Sequence, residues 1–323
     1  MRNYAIRRAL INIPVIWFVA TLVFLATSVL PGDFVANRLA LQGINTSDPA
    51  QFARSVEAIK EDLGLNDPVH VRYMNYMGSL LRGDLGTSFE SKRPAVDSFM
   101  DGLPYTLQLS VMTFFFAIIT SIPIGIISAI RQDTWLDYIL RIFAITALAA
   151  PNFWVATMIL LYVVKFSLFS VPITESPLLW EDPATSFSKY IIPAVVGGIA
   201  SGATTMRLLR SQMLEVLRQD YIRTAWAKGL GERLVILRHA LKNAFIPVMT
   251  VLGLSIATLL SGNVVFEYIF GINGIGNRIL RAIQARDVPV VQAFVLIIAT
   301  FVVFVNLIVD LLYGLLDPRI RYS

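Results

Sequence analysis

Six stretches of the chain run without a charged residue for about the length of a bilayer crossing: Ala9 to Leu30, Tyr105 to Ile130, Ile142 to Val164, Tyr190 to Met206, Ala244 to Phe266 and Val288 to Val309. A hydrocarbon core of roughly 30 Å needs about 20 apolar residues of helix, because each backbone polar group there must be satisfied within its own segment. The pattern therefore predicts an all-α polytopic membrane protein with six transmembrane helices. The fourth window is the shortest and contains Gly197, Gly198 and Gly202; its helix is expected to continue past Arg207, with basic side chains snorkelling to the interface. The first window follows Arg2, Arg7 and Arg8, as a secretory signal would. It exceeds an h-region of about 7–15 residues, and its Leu30-Pro31-Gly32-Asp33 exit lacks a small-residue cleavage pattern, so it reads as an uncleaved span.

Shorter periodicities lie between the windows. In the long segment 31–104, Asp48, Pro49 and Gln51 suit an N-cap, a first-turn proline and a capping-box partner, Phe52, Val56, Ile59 and Leu63 recur at helical spacing, and Gly64 closes the element. A second helix is expected after Asp67-Pro68, carried by Val71, Met74, Met77 and Leu81 and stopped at Gly83. This predicts a small helical extracytoplasmic insertion, either a docking surface or lid over the outer mouth, or a spacer. The chain thus divides into an N-terminal segment and first span at 1–30, the insertion at 31–104, a five-helix core at 105–315 that includes a polar segment at 207–243, and a tail at 316–323. The loops 165–189, where Trp180 suits the headgroup level, and 267–287 are expected outside.

Composition agrees with lipid as the solvent. Hydrophobic residues make up 56% and charged ones 15%, against about a quarter charged in soluble domains. The net charge of +5 is too small for a nucleic-acid binder. With no cysteine there are no thiolate metal sites, and the two histidines, His70 and His239, lie in regions of different character, so no metal site is expected. Lys and Arg are retained on the cytoplasmic side. With both termini inside, the inner segments carry a net +8 and the outer ones −3, which sets the orientation.

The polar segment Arg207 to Asn243 stays periodic. Leu208, Leu209, Met213, Val216 and Leu217 continue a helix out of the fourth span, with Arg210 and Arg218 on its wet side. Asp220 offers a cap, Tyr221 to Lys228 make about two turns, and Gly229 ends them in the left-handed conformation. Gly231-Glu232 starts another helix whose stripe of Leu234, Leu237 and Leu241 leads back to the membrane. A short helix held between two spans can act as a lever or lie flat as an amphipathic surface helix; the residues alone leave both open.

Here the chain resembles the membrane permease subunits of bacterial ATP-binding-cassette importers. Their cytoplasmic signature is Glu-Ala-Ala, three residues, Gly, nine residues, then Ile-x-Leu-Pro. Arg223-Thr224-Ala225 stands in the Glu-Ala-Ala place, Gly229 on the glycine, His239 and Leu241 on the Ile and Leu, and Lys242 replaces the proline. The runs Asp220-Tyr221-Ile222-Arg223-Thr224-Ala225, Ala227-Lys228-Gly229 and Arg238-His239-Ala240-Leu241-Lys242-Asn243-Ala244 are similar to the dipeptide and oligopeptide branch, and to its first permease in particular. So are Arg7-Arg8, Leu30 to Asp33, Leu63-Gly64-Leu65, Arg82-Gly83-Asp84-Leu85-Gly86, Leu103-Pro104, Val305 to Asp310 and Leu316 to Arg321.

The resemblance implies a type I importer permease in a bacterial inner membrane. It pairs with a second homologous permease, two cytoplasmic ATPases that bind ATP and Mg, and an external solute-binding protein or lipoprotein that delivers peptide. It also implies a coupling helix of Asp220, Tyr221, Ile222, Arg223, Thr224, Ala225, Trp226, Ala227, Lys228 and Gly229, supported by Arg238, His239 and Asn243. Ala225 and its neighbours are expected to seat in an ATPase groove. Related systems in the branch carry nickel chelates, glutathione or oligosaccharides.

Asn12, Gln108, Asn152 and Asn263 are polar groups in apolar windows and either line a path or bond two helices; Glu267, just beyond the fifth window, is an external gate candidate. The run Gly271-Ile272-Asn273-Gly274-Ile275-Gly276 lacks dinucleotide-binding spacing, and the resemblance suggests that this loop, with Phe270, reaches into the outer mouth. No Gly-x-x-x-x-Gly-Lys-Ser/Thr loop is present, so no ATP hydrolysis or other catalysis is expected of this chain. An ion-coupled carrier, the rival of a different class, would want titratable groups deep in its spans, and the windows contain none.

Overall fold

The computed structural model describes residues 2–29, 49–62, 66–172 and 174–316. Among them every regular element is helical apart from one β-bridge between Thr87 and Pro94. In chain order the helices are α1 Arg2–Val29, α2 Pro49–Asp62, α3 Val69–Leu81, α4 Ala95–Ile130, α5 Trp135–Ala149, α6 Asn152–Lys165, α7 Pro183–Leu217, α8 Asp220–Ala227, α9 Glu232–Leu234, a π-helix Val235–Ala240, α10 Leu241–Gly262, α11 Val264–Ile269, α12 Ile275–Ala285 and α13 Val288–Leu316. The expectations at Leu30 to Asp33, Asp48, Leu63 to Leu65 and 317–323 fall outside the described residues.

Among the described residues, five helical stretches are long and apolar enough to cross a membrane: Leu10–Ser28, Ala95–Ile130, Pro183–Leu217, Glu232–Ser255 and Val288–Ile308. The third window, expected as one helix from Ile142 to Val164, is instead the pair α5 and α6, bent by 99°. The break lies at Ala150-Pro151, where Ala150 takes an extended φ of −78° and ψ of 133°. The proline ring disfavours helical backbone at the residue before it and brings no N–H to the ladder. Pro14, Pro104, Pro123, Pro193 and Pro247 by contrast stay inside helices. The fourth span does continue past Arg207, as the 35-residue α7.

The described residues form two compact units, from Met1–Asp101 with Arg278–Phe304 and from Gly102–Asn277 with Val305–Ser323. In the first, the insertion packs on the first span. Phe24 of α1 lies 5.4 Å from the Tyr73 ring and 5.5 Å from the Tyr76 ring of α3, and Thr21 and Tyr73 share a hydroxyl hydrogen bond of 2.8 Å. Burial pushes the Tyr76 hydroxyl up to about 12. The buried Asp287 carboxylate accepts from Ser88 Oγ at 2.6 Å and from the Phe89 and Glu90 amides at 3.0 and 3.4 Å, fixing the loop after Gly86.

The second unit is built on the crossing of α4 and α7. A Cβ added to Gly198 would meet Thr113 O at 2.8 Å, and one added to Gly202 would meet Ala117 O at 2.9 Å. These glycines let two backbones touch, as small residues do where helices associate in lipid without a hydrophobic drive. Two apolar clusters fill this unit. One gathers Leu209, Met213, Ile222, Ala225, Val235, Ile236, Ala240, Ala244 and Val248; the other gathers Leu109, Tyr190, Phe266, Phe270 and Ile272 with their neighbours.

Candidate functional site

The short helix α8 hangs from α7 across Arg218 and Gln219 and is capped at its far end by glycine. Gly229 has φ +75°, its amide donates to Trp226 O at 2.9 Å, and the Leu230 amide reaches Ala225 O at 3.4 Å. This pair of bonds is the Schellman pattern, which needs a left-handed residue at that position. Nothing lies within 4 Å of a Cβ built on Gly229, so conformation rather than crowding demands the glycine.

Packing decides which side of α8 is free. Ile222 and Ala225 are buried in the apolar cluster with Leu209, Met213 and Val235, while Asp220, Tyr221, Arg223, Thr224, Trp226, Ala227 and Lys228 are exposed. Ala225, expected to seat in a partner's groove, is 6% exposed and packs in this chain's own core. Tyr221 and Trp226, each a little over two-fifths exposed, are the large side chains that α8 offers outward. Asp220 and Arg223 form an exposed ion pair at 3.5 Å, and Thr224 Oγ1 donates to Asp220 O.

The return limb also departs from the pattern. The expected stripe of Leu234, Leu237 and Leu241 is not the packed face, since Leu234 and Leu237 are more than 40% exposed. Val235, Ile236, Ala240, Ala244 and Val248 face the core instead. The cause is the π-helix at Val235–Ala240, whose wider turn shifts the phase between α9 and α10. Asn243 Nδ2 donates to Tyr221 Oη at 3.0 Å and to His239 O at 2.9 Å, tying this limb to α8. Arg238 is exposed and His239 half-buried.

Arg210, expected on the wet side, turns inward. Its Nε and Nη2 donate to Asp137 Oδ1 and Oδ2 of α5 at 2.9 and 2.7 Å, and the Asp137 side chain is fully buried. The residue was missed because the uncharged window starts at Ile142; Asp137, Lys189 and Glu267 all lie just beyond window edges and all are buried. Lys189 Nζ donates to Pro172 O at 2.7 Å.

Three of the polar path candidates are bonded between elements of the second unit. Glu267 and Asn263, four residues apart on one side, meet Thr106 and Ser110, four apart on α4: Thr106 Oγ1 donates to Glu267 Oε1 at 2.6 Å, and Asn263 Nδ2 donates to Ser110 Oγ at 2.9 Å. Gln108 donates to Ser186 Oγ at 2.8 Å and accepts from the Leu179 amide at 2.7 Å. Asn152, at the start of α6, is exposed and accepts from its neighbour Phe153 N at 2.8 Å. The spacing of four could have pointed to the rungs between α4 and 263–267, but not to their partners.

The Gly-rich loop is wrapped on Glu267. Gly271 is left-handed at φ +59°, and its amide and that of Ile272 close a second Schellman pair onto Tyr268 O and Glu267 O. The Asn277 amide donates to Glu267 Oε2 at 3.1 Å, and the Ile275 amide to Thr106 Oγ1 at 2.8 Å. A Cβ on Gly274 would fall 2.4 Å from the Glu267 carboxylate. Burial raises the Glu267 carboxyl above its ordinary range, while Thr106 and the Asn277 and Gly276 amides pull it back. Phe270 is 3% exposed and packs in the apolar cluster, so its ring is a core group of the second unit rather than a projecting one. Asn273 is half-buried. Among the described residues no group of three or more His, Cys, Asp or Glu is placed to hold a metal ion.

Comparison with known proteins gives these features a context. Residues 121–322 match the family described as binding-protein-dependent transport system inner membrane component, and residues 1–110 match the N-terminal region of such membrane components. Over the whole chain and the whole of each relative, the sequence is 37% identical to the dipeptide transport system permease proteins DppB of Alkalihalophilus pseudofirmus and of Escherichia coli. It is 35% identical, again over both full lengths, to the glutathione transport system permease protein GsiC of Salmonella choleraesuis.

Proposed function

The chain belongs to the family of binding-protein-dependent transport system inner membrane components, and on that premise we propose that it is one of two permeases lining a path for dipeptides or short oligopeptides in an ATP-driven importer. The observation that carries the reading is the outward face of α8. Ile222 and Ala225 fix the helix to the core, which leaves Tyr221 and Trp226 exposed beside Arg223 and Lys228. Aromatic and cationic side chains on a rigid mount are the composition that dominates protein interfaces. The partner suited to this face is a cytoplasmic ATPase that carries the nucleotide and Mg. Differential contacts with the nucleotide-bound and free ATPase would shift the populations of the membrane helices.

In this reading both termini and the segment 207–243 face the cytoplasm, where the chain holds most of its basic residues. An external binding protein or lipoprotein hands peptide to the outer side, near the insertion and the 267–287 loop. Gln108, Asn263 and Glu267 fix the helices that flank the path and so shape it indirectly, while the exposed Asn152 is free to border it. Glutathione is a second cargo reading, favoured by the 35% identity to a glutathione permease.

The test is reconstitution of both permeases, the ATPases and the binding protein. The ATPases are expected to co-purify, and Gly229→Val, which forces a β-branched residue into a left-handed backbone, is expected to abolish substrate-stimulated ATP hydrolysis. Undiminished stimulation would sink the assignment. Screening the binding protein with dipeptides, oligopeptides, glutathione and oligosaccharides decides the cargo; a response to sugars alone overturns the peptide reading and leaves the permease reading intact.

A further inference from the structure

Three helices of the second unit converge on one carboxylate. Asp137, in the first turn of α5, has both oxygens filled: Oδ1 by Ser128 Oγ of α4 and Arg210 Nε of α7, Oδ2 by Arg210 Nη2 and the Asp133 amide. Thr134 caps α5, its hydroxyl accepting from the Asp137 amide, so the carboxylate is held at a helix start that cannot swing independently. A two-bond guanidinium fork fixes orientation as well as distance. The Asp137 carboxylate is fully buried and Arg210 one-fifth exposed, so rupture leaves a buried carboxylate without its cation, and the pair stays closed through movements that fully exposed pairs would not survive. Arg210 lies only two turns before the end of α7, where α8 begins.

The other limb from α8 has no such clamp among its described contacts and runs through the π-helix and then Pro247. A π-turn and a proline are the usual places where a helix bends. One limb is thus braced and the other compliant.

We propose that Asp137 and Arg210 are positioning residues for energy coupling: their ion pair makes α5 move as one body with α7 when a partner displaces α8. The inference rests on the permease reading above, because it needs a motor acting on α8. It adds a route, α8 to α7 to α5, that the outward face of α8 does not specify.

The chain has no cysteine, so a pair of spin labels at Trp135→Cys and Ser211→Cys, exposed positions on α5 and α7, reports the α5 to α7 distance cleanly in the full reconstituted complex. In the otherwise unaltered chain this distance is expected to be the same without nucleotide and in the vanadate-trapped state. Adding Asp137→Asn is expected to make it broaden or shift on trapping. In transport assays without labels, Asp137→Asn and Arg210→Lys are expected to assemble and to retain basal ATP hydrolysis, but to move roughly tenfold less substrate per ATP. A merely structural role would lower assembly, hydrolysis and transport together and leave their ratio unchanged. The proposal is overturned if that ratio is unchanged in the assembled variants, or if the distance without Asp137→Asn shifts by several Å on trapping. Should Asp137→Asn not assemble, Arg210→Lys, which keeps the charge and loses the fork, and the distance in the unaltered pair still decide. Failure of the ATPases to co-purify would instead refute the permease reading.

Discussion

Helices α8 and α11 end in the same way and in opposite surroundings. Each closes with a left-handed glycine, Gly229 or Gly271, and the same pair of backbone bonds. Beyond Gly229 there is open space; beyond Gly271 the chain folds back so tightly that Gly274 and Gly276 press on Glu267 and Val264. One backbone motif therefore serves two ends. After α8 it leaves a surface bare, and after α11 it seals a loop against the protein's own buried carboxylate.

The contrast is broken most severely at Gly276. A Cβ there would lie 2.5 Å from Val264 Cα, and backbone cannot step aside as a flexible side chain can. Gly276→Ala is expected to lower stability by about 3 kcal/mol, the upper end of ordinary overpacking, measured as a large fall in melting temperature of the purified protein.

Glu267 comes next. Glu267→Gln keeps the size but places an amide against one of the N–H donors, at about 1–3 kcal/mol for a buried donor left without an acceptor. The sign with pH follows from the upward direction of its shift. The favourable neutral form is fully present below the unfolded value of about 4.3, and its contribution is lost as pH rises through the higher folded value. The deficit of Glu267→Gln relative to the native chain should therefore be largest in acid and narrow as pH rises, as read by melting curves from pH 4 upward. A deficit that widens with pH would mean that the donors outweigh burial.

The smallest effect is expected at Gly229. With no neighbour to strike, Gly229→Ala meets only the left-handed penalty of about 1–2 kcal/mol, and Gly229→Asn less. A melting temperature for Gly229→Ala as low as that of Gly276→Ala would show that the turn after α8 is packed after all.

Much of this was legible in the residues themselves. Five of the six spans, the long α7, the helices starting at Pro49 and after Pro68, and the glycine stops at Gly83 and Gly229 follow from local causes: apolar length, proline geometry and left-handed backbone. A break at Pro151 was equally local in origin, yet five other prolines sit inside helices without breaking them, so the ring alone did not say which one would.

What the tertiary structure alone decided is which polar groups meet and which side of each helix is covered. Asp137 and Arg210 are 73 residues apart, and Thr106 and Glu267 are 161 apart; no periodicity links them, because their pairing depends on how separate helices cross. Ala225 faces inward and Leu237 outward for the same kind of reason, since a π-turn and a neighbouring helix set the phase that regular α-helical spacing assumes. Sequence determined that the chain enters lipid and where it turns, through forces acting within a few residues. Only packing determined where its charges hide, because burying a charge requires a partner that the chain must first bring from far away.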